Sequence, residues 1–249
     1  MSGYTPSAKA AERGEPSYVW RSGQERRLAM LARRTNLHDC AFLEAGCGNG
    51  VYVAKVRERF QAQVEAFDIE AHRVAEARQH VSHAVVARGE ALPYPDNTFD
   101  VVFSNEVVEH VDDDHQFVAE MVRVLKPGGR LAIFCPNRWY PVEQHGHFWK
   151  GEYHFGNTPL INYLPDRWRN KLAPHVRTYT ARGIRRLFRD QPVKIQHHSR
   201  IFGGYDNIVA RYPRLGKWLR RVLYFLEKTP MRFFGLSHWI IVEKRPYNI

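Results

Sequence analysis

An open α/β sheet with helices on both faces is the fold that the sequence predicts, and three observations predict it. A short apolar run at 41–43 ends in Glu44 and passes into three alternating glycines, Gly46, Gly48 and Gly50. That is how a buried strand turns tightly into a helix N-terminus. A second apolar run at 64–69 carries an acid, Asp68, 18 residues beyond Gly50, the interval of one strand–turn–helix–strand unit. Further apolar runs then alternate with helical patterns, as in wound α/β domains.

The elements follow in order. Residues 18–34 read as a helix with Tyr18, Trp20, Leu28, Met30 and Leu31 on its apolar face. Arg21 projects from it, more plausibly into solvent than toward a ligand. The first strand, 41–43, feeds the helix 50–60 through the glycine turn. Glycines there leave bare backbone for a ligand, and the helix N-terminus favours an anionic or nucleotide-like one. A dinucleotide fingerprint is G-x-G-x-x-G; this chain has G-x-G-x-G with an acid two residues before the first glycine. A nicotinamide-dependent oxidoreductase is therefore the lesser reading. Asp68, at the tip of the second strand, is placed to accept hydrogen bonds from a ribose diol. Glu70 suits the first turn of the next helix, 71–80.

Residues 83–87 form a third strand and 99–103 a fourth, which ends at Ser104 and Asn105. Pro93 and Pro95 stiffen the loop between them. A helix at 114–125 is broken by Lys126-Pro127-Gly128-Gly129 and leads into a fifth strand. Helix 180–189, capped by Thr180, strand 193–202 and strand Ser237–Lys244 complete the sheet and its layers.

Three stretches resemble one family. FLEAGCGNG (42–50) resembles motif I of the class I S-adenosylmethionine-dependent methyltransferases. AFDIE (66–70) is similar to their second-strand ending. GEALPYPDNTFD with the following EHV (89–111) resembles the branch acting on small molecules of quinone and lipid pathways. The resemblance is strong over about residues 40–136 and weak at the last strand. It implies a Rossmann-like seven-stranded sheet of order 3-2-1-4-5-7-6, with strand 7 antiparallel, and S-adenosyl-L-methionine as cofactor. It implies cofactor contacts from Glu44, Gly46, Cys47, Gly48, Gly50, Asp68, Ile69, Gly89, Glu90, Ala91 and Asn105. It also implies methyl transfer by in-line displacement to a small-molecule, lipid or sugar acceptor, through O- or C-methylation. His110 has a packing and capping role in this pattern. Where the family often places an acid for the adenine amino group, this chain has Arg88, so Glu90 or backbone alone must serve.

Residues 136–159 fit no part of that pattern. Glu143, His145, His147, Glu152 and His154 stand among Trp139, Tyr140, Phe148, Trp149, Tyr153 and Phe155. Aromatic and titratable groups beside a methyl donor make an acceptor pocket. His145 and Glu143 are the candidates for removing an acceptor proton; binding of a divalent metal and plain packing are the other readings, and no metal site is assigned. Residues 137–190 are expected to form a cap over the acceptor side.

Charge divides the chain. From residue 165 onward there are 19 Lys and Arg against 5 Asp and Glu; before it there are 18 against 21. The basic part includes an insertion at 205–236 with an amphipathic helix, 214–228. Its stripe is Leu215, Trp218, Leu219, Val222, Phe225 and Leu226, flanked by Arg214, Lys217, Arg220, Arg221 and Lys228. It either packs on the sheet or lies on an anionic membrane surface. Nucleic acid is not expected, since no RNA-binding module accompanies the charge. A non-catalytic peripheral membrane protein remains the third function class. No window of 18 apolar residues predicts a transmembrane helix. Residues 1–17 are polar, expected as a disordered lead-in rather than a signal peptide. Cys40, Cys47 and Cys135 show neither metal-ligand nor disulfide spacing, which suggests a reducing, cytoplasmic setting.

Overall fold

The computed structural model describes residues 20–246, so the lead-in at 1–17 lies outside the described residues. α1 (Ser22–Ala32) precedes β1 (Ala41–Ala45), α2 (Val51–Phe60), β2 (Gln63–Asp68), α3 (Ala71–Ala77), β3 (Ala84–Val86) and β4 (Phe99–Asn105). Then come α4 (Asp114–Val124) and β5 (Leu125–Pro136). A cap follows, with short strands β6 (Val142–Glu143), β7 (His147–Trp149), β8 (Glu152–His154) and β9 (Thr158–Pro159), and helices α5 (Asp166–Leu172) and α6 (Ala181–Arg186). The chain ends through β10 (Val193–Ile201), α7 (Asp206–Arg211), α8 (Pro213–Leu226) and β11 (Ser237–Lys244).

The main sheet runs β3-β2-β1-β4-β5-β11-β10. Its first five strands pair in parallel, and β11 runs antiparallel to both neighbours. This is the 3-2-1-4-5-7-6 order expected above. β11 can sit between two strands because Trp239, Ile240, Ile241 and Val242 are all buried, a continuous apolar run suited to a strand covered on both faces.

Side chains alternate between two cores as the period of a strand requires. Phe42, Phe103, Phe134 and Trp239 enter the layer under α1 and α2 with Leu28, Leu31, Val53 and Val56. Leu43, Val102, Ile133 and Ile240 enter the opposite layer with Phe117, Met121 and Ile184. The parallel strands thus deliver their carboxyl ends to one edge, and the functional loops leave from that edge.

Some boundaries differ from expectation. β1 continues through Glu44 to Ala45, because pairing with β2 and β4 persists there. α3 stops at Ala77 and α6 at Arg186. Thr180 caps α6 as expected, its Oγ1 accepting from Gly183 N at 3.0 Å. α8 is the element whose packing the sequence left open. Leu215, Trp218 and Phe225 are 58%, 60% and 64% exposed, so the stripe does not pack its outer part on the sheet. α8 instead leans on α7, where Gly216 sits so close that a Cβ there would meet Val209 Cα at 2.6 Å.

Candidate active site

The glycine turn joins β1 to α2 with Gly46, Gly48 and Gly50 all in the left-handed region, at φ 69°, 52° and 78°. Only glycine enters that region without strain. At Gly46 a second constraint applies: a Cβ would lie 2.5 Å from Val107 Cγ2. The turn is braced from below. Glu44 Oε2 accepts from Val53 N at 2.9 Å, satisfying an orphan donor of the first turn of α2. Burial pushes the Glu44 carboxyl up to about 8, against the Val53 hydrogen bond and with help from the Asp68 charge. Cys47 is buried, its N–H donating to Phe67 O at 2.9 Å.

Asp68 is 5% exposed, and its two oxygens accept from Gly48 N at 2.9 Å and Glu70 N at 3.0 Å. The carboxylate thus ties the β2 tip to the glycine turn while keeping further lone pairs free for a diol. Beside it Ile69 is 61% exposed, and Val86 at the tip of β3 is 52% exposed. Two large apolar side chains bared at adjacent strand tips suit a flat apolar face such as adenine. The loop after β3 brings Gly89, Glu90 and Ala91 alongside. Gly89 packs on Phe117, whose ring a Cβ would meet at 2.4 Å. Glu90 is already engaged: its Oε1 accepts from Asp112 N at 2.9 Å. Arg88 turns outward to pair with Asp112. These features fit S-adenosyl-L-methionine: Asp68 would hold its ribose, and Ile69 and backbone would flank its adenine.

Groups from five elements meet beside the β4 and β11 ends. Arg27 of α1 reaches over the β4 and β11 ends, donating to Asn105 Oδ1 at 2.5 Å and Ser237 Oγ at 2.9 Å and pairing with Glu106 at 2.7 Å. Glu106 adopts φ 56°, unusual for a residue with a side chain. Burial works against its charge, but Arg27 and the Ser237 hydroxyl hold its carboxyl low. Glu109 is 1% exposed, and neither carboxylate oxygen accepts a hydrogen bond from a described residue. Burial and the adjacent Glu106 charge push its carboxyl well up.

His145 and Glu143 come together as a dyad. Glu143 Oε1 accepts from His145 Nδ1 at 2.9 Å, and Glu143 Oε2 accepts from Arg169 Nη2 at 3.2 Å. Burial opposes the Glu143 charge, yet the hydrogen bonds from His145 and the Arg169 charge outweigh it and hold the carboxyl at about 2. His110 lies across from His145, ring centres 5.4 Å apart, with Nδ1 on His175 O at 3.1 Å. Its pKa falls to about 4, through burial first and then the facing His145. Arg27, Glu106, Tyr140, Glu143, His145 and Asn162 are among the walls of a cavity of about 180 Å³ here. His147 and His154 instead stack on each other across the β7–β8 hairpin, 5.3 Å apart.

Arg27, Glu106, Glu109 and Arg169 are the site residues that sequence reading missed. Glu106 and Glu109 were within reach of it, since both lie three residues apart inside the quoted segment 89–111. Arg27 borders the apolar face of α1, whereas Arg169 has no local signal at all. Arg21 stays at the helix start, 3.4 Å from Asn207 Oδ1.

Residues 43–133 match the family model described as a methyltransferase domain. Together with the sheet order and the glycine turn, that match gives the chain a class I S-adenosylmethionine-dependent methyltransferase domain. A probable S-adenosylmethionine-dependent methyltransferase of Mycolicibacterium smegmatis is 40% identical over 106 residues, 41% of each chain. The malonyl-[acyl-carrier protein] O-methyltransferase of Enterobacter lignolyticus is 37% identical over 130 residues, 51% of each chain. The ubiquinone biosynthesis O-methyltransferase of Parvibaculum lavamentivorans is 29% identical over 153 residues, 53% of this chain and 60% of that one. The chain therefore spans about two fifths to three fifths of these relatives. In overall shape it is similar to a crystal structure of an S-adenosylmethionine-dependent methyltransferase from Mesorhizobium loti, with a TM-score of 0.63 at 18% identity over 90% of this chain and 99% of that one.

Proposed function

We propose that this protein transfers a methyl group from S-adenosyl-L-methionine to a hydroxyl of a small molecule. The observation that carries the reading is the His145–Glu143–Arg169 relay on the wall of the cavity beside the strand tips. When bound, the cofactor supplies a methyl already activated by its sulfonium charge. The chain's own residues position the acceptor in the cavity, exclude water from it, and promote loss of the hydroxyl proton at His145. Glu143 fixes the imidazole tautomer so that Nε2 faces outward as an acceptor. Amines and stabilised carbanions need no such group, which favours O-methylation over the other chemistries. The O-methyltransferase names of two relatives support the same choice.

Calorimetry with S-adenosylhomocysteine tests the cofactor half. Binding should weaken at least tenfold in Asp68→Ala, and absence of binding by the unaltered chain would sink the reading. Labelled methyl donor with extracted lipids and glycosides tests the acceptor half: incorporation should yield a base-stable ether, lost in His145→Gln.

The basic insertion supports a peripheral contact with an anionic membrane. Leu215, Trp218 and Phe225 face out from α8 beside exposed Arg214, Lys217 and Arg221, the pairing that seats a helix at a headgroup boundary. Among the described residues no helix is long and apolar enough to cross a membrane. Co-sedimentation with phosphatidylserine vesicles should be lost in Trp218→Ala/Phe225→Ala and reduced in Arg214→Glu/Arg221→Glu. Arg220 is a poor choice for this test, because it is tied to Asp206 and Ser22. Sedimentation unchanged in both variants would remove the contact.

A further inference from the structure

Glu109, His110 and His145 each offer one ligand atom, and these atoms lie within 4.8 Å of one another. Two come from the loop after β4 and one from the cap, so only the fold assembles them.

Each histidine has one ring nitrogen committed. His145 Nδ1 is held by Glu143 Oε1 at 2.9 Å, and His110 Nδ1 by the His175 carbonyl at 3.1 Å. With the Nδ1 hydrogens placed there, both Nε2 atoms keep their lone pairs. A carboxylate or carbonyl behind a histidine is what fixes the tautomer and orientation of metal-ligating imidazoles. The His145–Glu143 pair is in turn anchored by buried Arg169.

Glu109 supplies the second observation. It is 1% exposed, with neither carboxylate oxygen accepting a hydrogen bond from a described residue. A carboxyl group buried without donors is costly. Its neighbour Glu106 adds negative charge at the same place. Arg27 pairs with Glu106 at 2.7 Å and leaves Glu109 as the carboxylate without a donor among the described residues. His110 Nε2 stands 3.9 Å from Glu109 Oε1, too far for a hydrogen bond. Ligands about 2.1 Å from a shared cation stand roughly 3 to 4 Å apart, so separations of up to 4.8 Å must close by about 1 Å to complete the set.

We propose that Glu109, His110 and His145 bind a divalent cation of the first transition row, with Glu106 as the adjacent acid; of these, His145 and Glu106 line the cavity. Two imidazoles and a carboxylate suit such ions better than magnesium or calcium, which prefer oxygen alone. The inference rests on the hydroxyl-methylation reading for its purpose but changes the route of the proton: with its Nε2 lone pair on the cation, His145 is a ligand and no longer the base. An acceptor hydroxyl seated on the cation releases its proton to solvent at neutral pH and keeps the electron pair on oxygen. Glu143 then acts as a positioning residue for the ligand His145.

The test uses chelator-stripped full-length protein titrated with Mn²⁺, followed by calorimetry and by loss of the free-ion electron paramagnetic resonance signal. One equivalent should bind. Affinity should fall at least tenfold in Glu109→Gln and in His110→Gln, and about 10- to 100-fold in Glu143→Gln. S-adenosylhomocysteine binding, retained in all three, shows that they are folded. The cation site is overturned if no equivalent binds, or if Glu109→Gln leaves affinity unchanged, in which case Glu106 and Glu109 share a proton instead. Methyl transfer at full rate in excess chelator also overturns it while leaving the methyltransferase reading intact. Loss of S-adenosylhomocysteine binding in the unaltered chain sinks that reading alone, since Mn²⁺ binding is measured without it.

Discussion

Replacing Glu143 with alanine strands a buried arginine, and the cost can be worked out in two ways. Arg169 is 1% exposed; among the described residues its hydrogen bonds besides Glu143 go only to the carbonyls of Val176 and Ala173 and the Asn170 side chain. Breaking a buried pair by removing one partner costs about 3 to 5 kcal/mol, and the carbonyls that remain favour the lower end. The second route is linkage. The Glu143 carboxyl is held at about 2, against an ordinary value of 4.5. About 2.5 pH units at about 1.4 kcal/mol each give roughly 3.5 kcal/mol, owed to the His145 hydrogen bonds ahead of the Arg169 charge. The sign follows from the depressed pKa: this stability is present above pH 4.5 and is lost as pH falls toward 2. For a chain of this size about 3 kcal/mol lowers Tm by roughly 6 to 12 °C. Differential scanning calorimetry at pH 7 measures it, and Glu143→Gln, which keeps an acceptor for His145 Nδ1, should lose less. A Tm within 2 °C of the unaltered protein in Glu143→Ala would refute the reasoning. So would parallel acid loss in both proteins between pH 4.5 and 2.

Two further perturbations test the frame around the site. Gly46→Ala forces a Cβ to 2.5 and 2.8 Å from the Val107 methyls at φ 69°, for about 2 to 4 kcal/mol of overpacking and left-handed strain together. It should lower Tm and weaken S-adenosylhomocysteine binding at least tenfold, with Val107→Ala restoring part of both; Gly128→Ala, at φ 80° with nothing within 4 Å, should cost about 1 kcal/mol. His238 is fully buried with Nε2 on Tyr179 O at 2.8 Å and Nδ1 on His198 at 3.0 Å. Burial, ahead of the Arg200 charge, outweighs the Tyr179 hydrogen bond and lowers its pKa to about 4. The unfolded chain therefore binds more protons below pH 6.5, and about 3 kcal/mol is lost as pH falls from 6.5 to 4. Urea midpoints at pH 7 and 4.5 should diverge, and His238→Asn should narrow the gap by its own share, since His110, His197 and His198 are also held low; equal divergence in both would overturn this assignment.

The sheet and the cofactor edge were legible because their signals are local. A glycine turn, an acid 18 residues on and a proline-stiffened loop each act through neighbouring backbone, and parallel strands bring their ends to one edge whatever the side chains do elsewhere. Sequence alone thus determined the strand order, through a resemblance, and singled out Gly46 to Asp68 as the candidate cofactor contacts. It could not decide the acceptor side. His145 and Glu143 stood out as residue types, but Arg169, which holds Glu143, is 26 residues away in a helix with no motif. Arg27 and Ser237 meet Glu106 from opposite ends of the chain. The exposed stripe of α8 was equally undecided, because an amphipathic pattern reads alike whether its face is covered or bare. Those outcomes depend on which distant surfaces pack together, and only the tertiary structure brings the FLEAGCGNG turn, the Glu106–His110 loop and the cap to one place.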